Sequence, residues 1–145
     1  MAISPELPDE LFAVVTIDED DLSGEFARFA AVYARWLYAR AELQGRLLAK
    51  TRALASESAA CRERWLVVGI KMTVDDLKAK ITLDPIVAKL TKQLETLEAQ
   101  DGELRAIIEA LRAKKDMLVS IGAHQRALLG PLLGAQDGID LSEKN

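Results

Sequence analysis

Few residues in this chain are of a type that does chemistry, and they are scattered. The 145 residues include one cysteine, Cys61, and one histidine, His124. Two such residues cannot build a Cys/His zinc site, and a lone cysteine excludes an internal disulfide. No Gly-rich phosphate loop and no G-x-S-x-G turn occurs. Asp75 and Asp76 are adjacent carboxylates, but they stand at a helix start, where capping explains them. Cys61 reads as a small buried hydrophobe and His124 as a surface imidazole near a helix end. Lys114, Lys115 and Asp116 read as a solvated or inter-subunit charge patch. No titratable cluster emerges, so neither an enzyme nor a cofactor is expected.

The remaining chemistry is that of charge and aromatic rings. The net charge of −4 hides a division. Residues 1–25 carry eight acids and no base, residues 26–65 eight bases and three acids, and residues 66–145 eleven bases and twelve acids. All seven aromatics lie before residue 66. A basic, aromatic segment in an acidic protein points to a polyanion at one face. Cationic side chains beside stacking rings are how single-stranded nucleic acid is held.

These residues need a scaffold. Ser4 before Pro5 suits a short N-terminal helix, and Asp18–Asp21 suit the start of a longer one, with Ser23 as its N-cap. From Ser23 to Trp65 there is no proline. Phe29, Trp36, Leu43, Leu47, Leu54, Cys61 and Trp65 fall within about 40° of one another at helical period, with Tyr33 beside them. Arg28, Arg35, Arg46, Lys50 and Arg64 line one edge of this apolar face, diluted by Glu57. Arg40 falls inside the face, its stem packing and its head reaching water. Tyr38 lies off the face and is better placed than Phe29, Tyr33 or Trp36 for stacking on a base. Gly69 is the natural pivot of the break at VVGIKM. Thr73 and Asp76 have capping-box spacing for a helix over 74–81. Asp84 and Pro85 open the last helix, and Gly130 with Pro131 closes it before a loose tail.

Residues 87–129 read as heptads, with Leu90, Leu97, Leu104, Leu111 and Leu118 at d and Val87, Leu94 and Ile108 among the a positions. Asp101 and Lys115 interrupt the seam. The expected organisation is an acidic segment 1–22, a basic and aromatic helix 23–65, a hinge with a short helix 66–84, an oligomerisation helix 85–130 and a tail 131–145. A 43-residue helix is roughly 65 Å long, against a radius of gyration of about 15 Å for a compact globule of this size. The fold class expected is all-α: two long helices in a hairpin whose surplus apolar face is buried against copies of the chain. Leu90, Leu94, Leu97, Leu104, Ile108, Leu111 and Leu118 are the expected oligomerisation residues. No membrane span and no signal peptide are found, so a cytoplasmic location is expected.

The stretch LPDELFAVVTIDEDDL, with Leu7, Glu10, Leu11, Val15, Ile17, Asp18 and Leu22, followed by Tyr33, Arg35, Trp36 and Leu37, resembles the UvsY family of recombination mediators of tailed phages. KMTVDDLKAKITLDP and ALRAKKDMLVSIG are similar to that family's short connecting helix and late C-terminal helix. The resemblance covers about residues 7–128. It implies a non-enzymatic, all-helical phage protein of the host cytoplasm that forms a ring of six to eight subunits, heptameric in the known case. It further implies binding of single-stranded DNA, displacement of the single-strand-binding protein and loading of a RecA-like recombinase. The family's DNA-binding bases fall near Ala59 and Cys61 without gaps, and Arg62 and Arg64 are the nearest cations. The ranked nucleic-acid contacts are Arg46, Lys50, Arg62 and Arg64, then Arg35 and Arg52; helical edge and resemblance agree on Arg64 alone. The acidic N-terminal segment is the candidate partner-contact arm. The competing reading is a phage scaffolding coiled coil without a nucleic-acid role.

Overall fold

The first long helix starts where acids collect. A computed structural model describes residues 13–136, with side chains over 13–130. Phe12, the start at Ser4–Pro5, Leu7, Glu10, Leu11 and tail residues 137–145 lie outside the described residues. Asp18 caps a 3-10 turn, Glu19–Asp21, by accepting the Asp20 N–H at 3.0 Å. Asp21 then accepts the Gly24 N–H at 3.0 Å, which makes Asp21, not Ser23, the N-cap of α1, Leu22–Val67. A carboxylate both satisfies an orphan N–H and meets the positive end of the helix dipole, whereas a serine hydroxyl does only the first. A Cβ on Gly24 would collide with the Asp21 carboxylate, so glycine makes room for the cap.

α1 ends at Gly69, whose φ of +74° only glycine adopts without strain. Its N–H bonds the Leu66 carbonyl at 3.3 Å. α2, Val74–Leu83, opens on the expected capping box: Thr73 Oγ1 accepts the Asp76 N–H at 3.1 Å and the Thr73 N–H reaches Asp76 Oδ2 at 3.4 Å. α3, Pro85–Gln136, starts at Asp84, whose Oδ1 accepts the N–H groups of Ile86 and Val87 at 3.0 and 3.2 Å. It does not stop at Gly130–Pro131. Pro131 lacks one helix N–H, but the backbone stays helical to Gln136, so residues 131–136 are not part of a loose tail. All regular structure among the described residues is helical, and none of these helices is long and apolar enough to cross a membrane.

The chain forms two compact units. One joins Trp36–Ala106, a hairpin of the later part of α1, α2 and the first part of α3. Contacts of Cys61 with Asp84, Lys50 with Gln93 and Arg40 with Asp101 set the two long segments antiparallel. The core of this unit includes Leu43, Cys61, Val87 and Leu97. Cys61 is buried as expected, and its thiol also donates to Asp84 Oδ2 at 3.7 Å.

Asp101 breaks the apolar seam with a purpose. It is 6% exposed and receives Arg40 Nε at 3.1 Å, Gln44 Nε2 at 3.2 Å and Arg105 Nη2 at 3.0 Å. The Arg40 head therefore does not reach out to water as its place on the wheel suggests; a buried carboxylate holds it. A charge removed from water is tolerated only when its lone pairs are filled this way.

The other unit joins residues up to Arg35 with those from Ile107 onward. Ile108, Leu111 and Leu118 form its core. Phe29 stacks on Tyr33 at 5.5 Å, and the Tyr33 hydroxyl accepts Arg112 Nε at 3.2 Å. Here the expected charge patch is corrected. Lys114 is buried at 7% exposure, while Lys115 is exposed. Lys114 Nζ meets Glu25 Oε2 at 2.7 Å and donates to the carbonyls of Val14 and Thr16 at 3.0 and 2.8 Å. The seam crosses position 114 rather than 115 because a straight helix drifts by about 20° per heptad from a strict 3.5-residue repeat.

The heptad residues are largely consumed within the chain. Leu97, Ile108, Leu111 and Leu118 are already buried within one chain, while Leu90, Leu94 and Leu104 are half-buried and keep part of their surface open. Along the apolar face of α1, Leu43 and Cys61 are buried and Phe29, Tyr33, Trp36, Leu47, Leu54 and Trp65 half-buried.

Lys114→Ala strands Glu25 and two carbonyls, and is expected to cost about 2–4 kcal/mol in urea unfolding. A loss below about 0.5 kcal/mol, the size of an ordinary surface change, would contradict the anchor. The Lys114 ammonium holds the Glu25 carboxyl below its ordinary 4.5, and Arg40 then Gln44 hold Asp101 below 3.8. Their stabilisation is complete above those ordinary values and is lost as pH falls through the lower folded ones. Unfolding free energy is therefore expected to fall with pH below about 4.5, with a shallower slope in Glu25→Gln; an identical slope would contradict the assignment.

Candidate nucleic-acid interface

Of the six cations expected to meet a polyanion, Arg46, Lys50, Arg52, Arg62 and Arg64 belong to the unit of residues 36–106 and Arg35 to the other. The first unit carries twelve Lys and Arg against ten Asp and Glu, so cations are in excess before any pairing. Arg46, Lys50 and Arg64 share one edge of α1 over about 27 Å at 1.5 Å per residue. Arg52 and Arg62 point elsewhere around the same helix.

The structure sorts these side chains by occupation. Arg64 Nη2 is tied to Glu57 Oε1 at 3.0 Å and Asp84 Oδ2 at 3.3 Å. Lys50 is half-buried and donates to Gln93 at 2.8 Å. Arg46, Arg52 and Arg62 are exposed, and none has an ion-pair partner among the described residues. An unpaired guanidinium keeps all its donors for a phosphate. Arg35 is likewise exposed in its own unit. Tyr38 is 74% exposed, in line with its position off the apolar face.

Arg64 also has a task within the fold. Asp84 caps α3 with one oxygen and holds Arg64 with the other. Its carboxyl is lowered first by the Val87 N–H and then by Ile86 and Arg64, while burial opposes the shift. The Glu57 hydrogen bond raises the Arg64 guanidinium further. Arg64 therefore fastens the end of α1 to the start of α3.

Further cations lie outside α1. Lys71, Lys78 and Lys80 lie around α2, and Lys80 Nζ stands 5.1 Å from the Trp65 ring centre. The signal was present as three lysines within ten residues of KMTVDDLKAK. Among the described residues no group of three or more His, Cys, Asp or Glu could hold a metal ion. One cleft, lined by Val14, Glu25, Phe29, Val32, Leu111 and Lys114, surrounds the lysine anchor.

Arg64→Ala is expected to lower the thermal midpoint in a circular-dichroism melt, while Arg62→Ala leaves it unchanged. Equal effects of the two would contradict the division between structural and free arginines.

No family model matches the sequence, and no curated protein does. Solved structures do match the fold. A crystal structure of the bacteriophage T4 recombination mediator protein UvsY, lattice type IV, superposes with a TM-score of 0.70 at 18% identity, covering 86% of this chain and 97% of that one. The lattice type II structure gives a TM-score of 0.62 at 18% identity, covering 90% and 98%. Nearly the whole of the T4 protein is thus reproduced at an identity where only physical pattern survives. The chain has the all-helical fold of the T4 recombination mediator UvsY.

Proposed function

We propose that this protein is a recombination mediator. As a homo-oligomeric ring of six to eight subunits it binds single-stranded DNA, and it promotes loading of a RecA-like recombinase in place of the single-strand-binding protein. The observation that carries this reading is the near-complete coverage of the T4 mediator's fold. The exposed, unpaired Arg46, Arg52 and Arg62 support it. So do the large apolar side chains that a single chain leaves open, among them Leu48, Met117, Leu128 and Leu129. Surface of that kind calls for a protein neighbour.

Binding rests on phosphate contacts from Arg46, Arg52 and Arg62, with Lys50 and Arg35 as secondary contacts and Tyr38 as the stacking ring. Each subunit binds weakly and without sequence preference. Several copies on one strand raise the overall affinity, because each further contact is intramolecular. Loading requires that the wrapped strand suit the recombinase better than the single-strand-binding protein, since a binder indifferent to two states shifts neither. No side chain need act as acid, base or nucleophile.

A gel-shift series with labelled oligothymidylate tests the reading. Binding is expected to weaken steeply between about 50 and 200 mM salt. The triple variant Arg46→Ala, Arg52→Ala, Arg62→Ala is expected to lose affinity and reduce the salt slope by about 1 per lost phosphate contact. Absence of binding at low salt would sink the proposal and favour the scaffolding coiled coil.

A further inference from the structure

Where α1, α2 and α3 meet within the unit of residues 36–106, the surface is unusually apolar. Leu66, Val67, Val68, Ile70, Val74, Leu83 and Ile86 are all exposed, Val67 at 86%, Leu83 at 77% and Val74 at 70%. Three contacts gather them at one end. The Gly69 N–H turns back on Leu66, Lys80 lies over Trp65, and Asp84 holds Arg64. A patch of this size on one monomer marks a contact with another protein surface.

The charges nearby select its occupant. Lys71 and Lys78 are exposed and have no ion-pair partner among the described residues. Asp76 and Asp84 are occupied by helix caps, which leaves Asp75 and Glu63 as uncommitted acids against Lys71, Lys78 and Arg62. A second identical patch would bring lysines against lysines. The complement is apolar and acidic, and one stretch of this chain has that composition. Residues 1–12 contain Ile3, Leu7, Leu11 and Phe12 with Glu6, Asp9 and Glu10, and no base. Of the acids that follow, three are engaged in their own unit: Asp18 and Asp21 as caps and Glu25 with Lys114.

We infer that the apolar end formed by Leu66–Ile70, Val74, Leu83 and Ile86 is the docking site for the N-terminal segment of a neighbouring copy. Ile3, Leu7 and Leu11 recur at a four-residue spacing and supply the apolar contact, while Glu6, Asp9 and Glu10 meet Lys71 and Lys78. Contacts of this head-to-tail kind are heterologous, and they close into a ring when the rotation per subunit permits. The inference rests on the homo-oligomer of the proposed function and names the surface that builds it.

The test mixes two full-length chains, one tagged and carrying Leu7→Cys, the other carrying Val67→Cys. Native Cys61 is buried and does not compete. After the assemblies exchange subunits, mild oxidation is expected to give a disulfide between the two chains on a non-reducing gel, suppressed by Lys71→Glu with Lys78→Glu. Light scattering supplies the second readout: removal of residues 2–12, or Val67→Asp, is expected to lower the native mass relative to the intact oligomer. A wild-type monomer would overturn the oligomer itself. An oligomer whose mass neither change alters, with no interchain disulfide, would overturn only the arm and leave the patch to a foreign partner.

Discussion

Each unit of this fold depends on a buried charge that fixes how α1 and α3 pair. In the unit of residues 36–106 it is Asp101, which takes three donors in the middle of an otherwise apolar seam. In the other unit it is Lys114, whose ammonium is shared by one carboxylate and two carbonyls. Leucine seams alone permit slippage by a turn, because one leucine layer resembles the next. A buried charge removes that freedom, since any other register leaves it unpaired at a cost of several kcal/mol. Residues in these locks are not available to a ligand.

The same logic separates structural cations from free ones. Arg40 and Arg105 serve Asp101, Arg64 serves Glu57 and Asp84, Lys114 serves Glu25, and Arg112 serves Glu109 and Tyr33. Arg46, Arg52 and Arg62 make no side-chain ion pair or hydrogen bond among the described residues. A long side chain with an unpaired charge contributes little to stability, so the proposed phosphate-binding role explains a basic segment that helix packing does not.

Much of this was legible in the sequence because helices repeat at a period that a linear reading can follow. The apolar face from Phe29 to Trp65, the pivot at Gly69, the Thr73–Asp76 box and the Asp84–Pro85 start all follow from local chemistry, and the structure has them. What was not legible depended on partners distant in the chain. Arg40 looked free because Asp101 is 61 residues away. The tie from Arg64 to Asp84 was hidden because Asp84 is 20 residues away. Lys114 and Lys115 exchanged roles because a strict heptad and a real helix part company over several turns. Burial of Leu97, Ile108, Leu111 and Leu118 within one chain was not legible, because periodicity marks a seam without saying whose helix fills it. Of the candidate site, the helix and the segment could be read; the sorting of cations into bound and unbound could not.

Arginine footprinting with phenylglyoxal, read by mass spectrometry with and without oligothymidylate, tests the central claim most directly. Arg46, Arg52 and Arg62 are expected to react in the free protein and to be protected when the strand is bound, with Arg40 slow in both states. Strand-dependent protection confined to arginines outside the three, or none at all while the strand is demonstrably bound, would contradict the account.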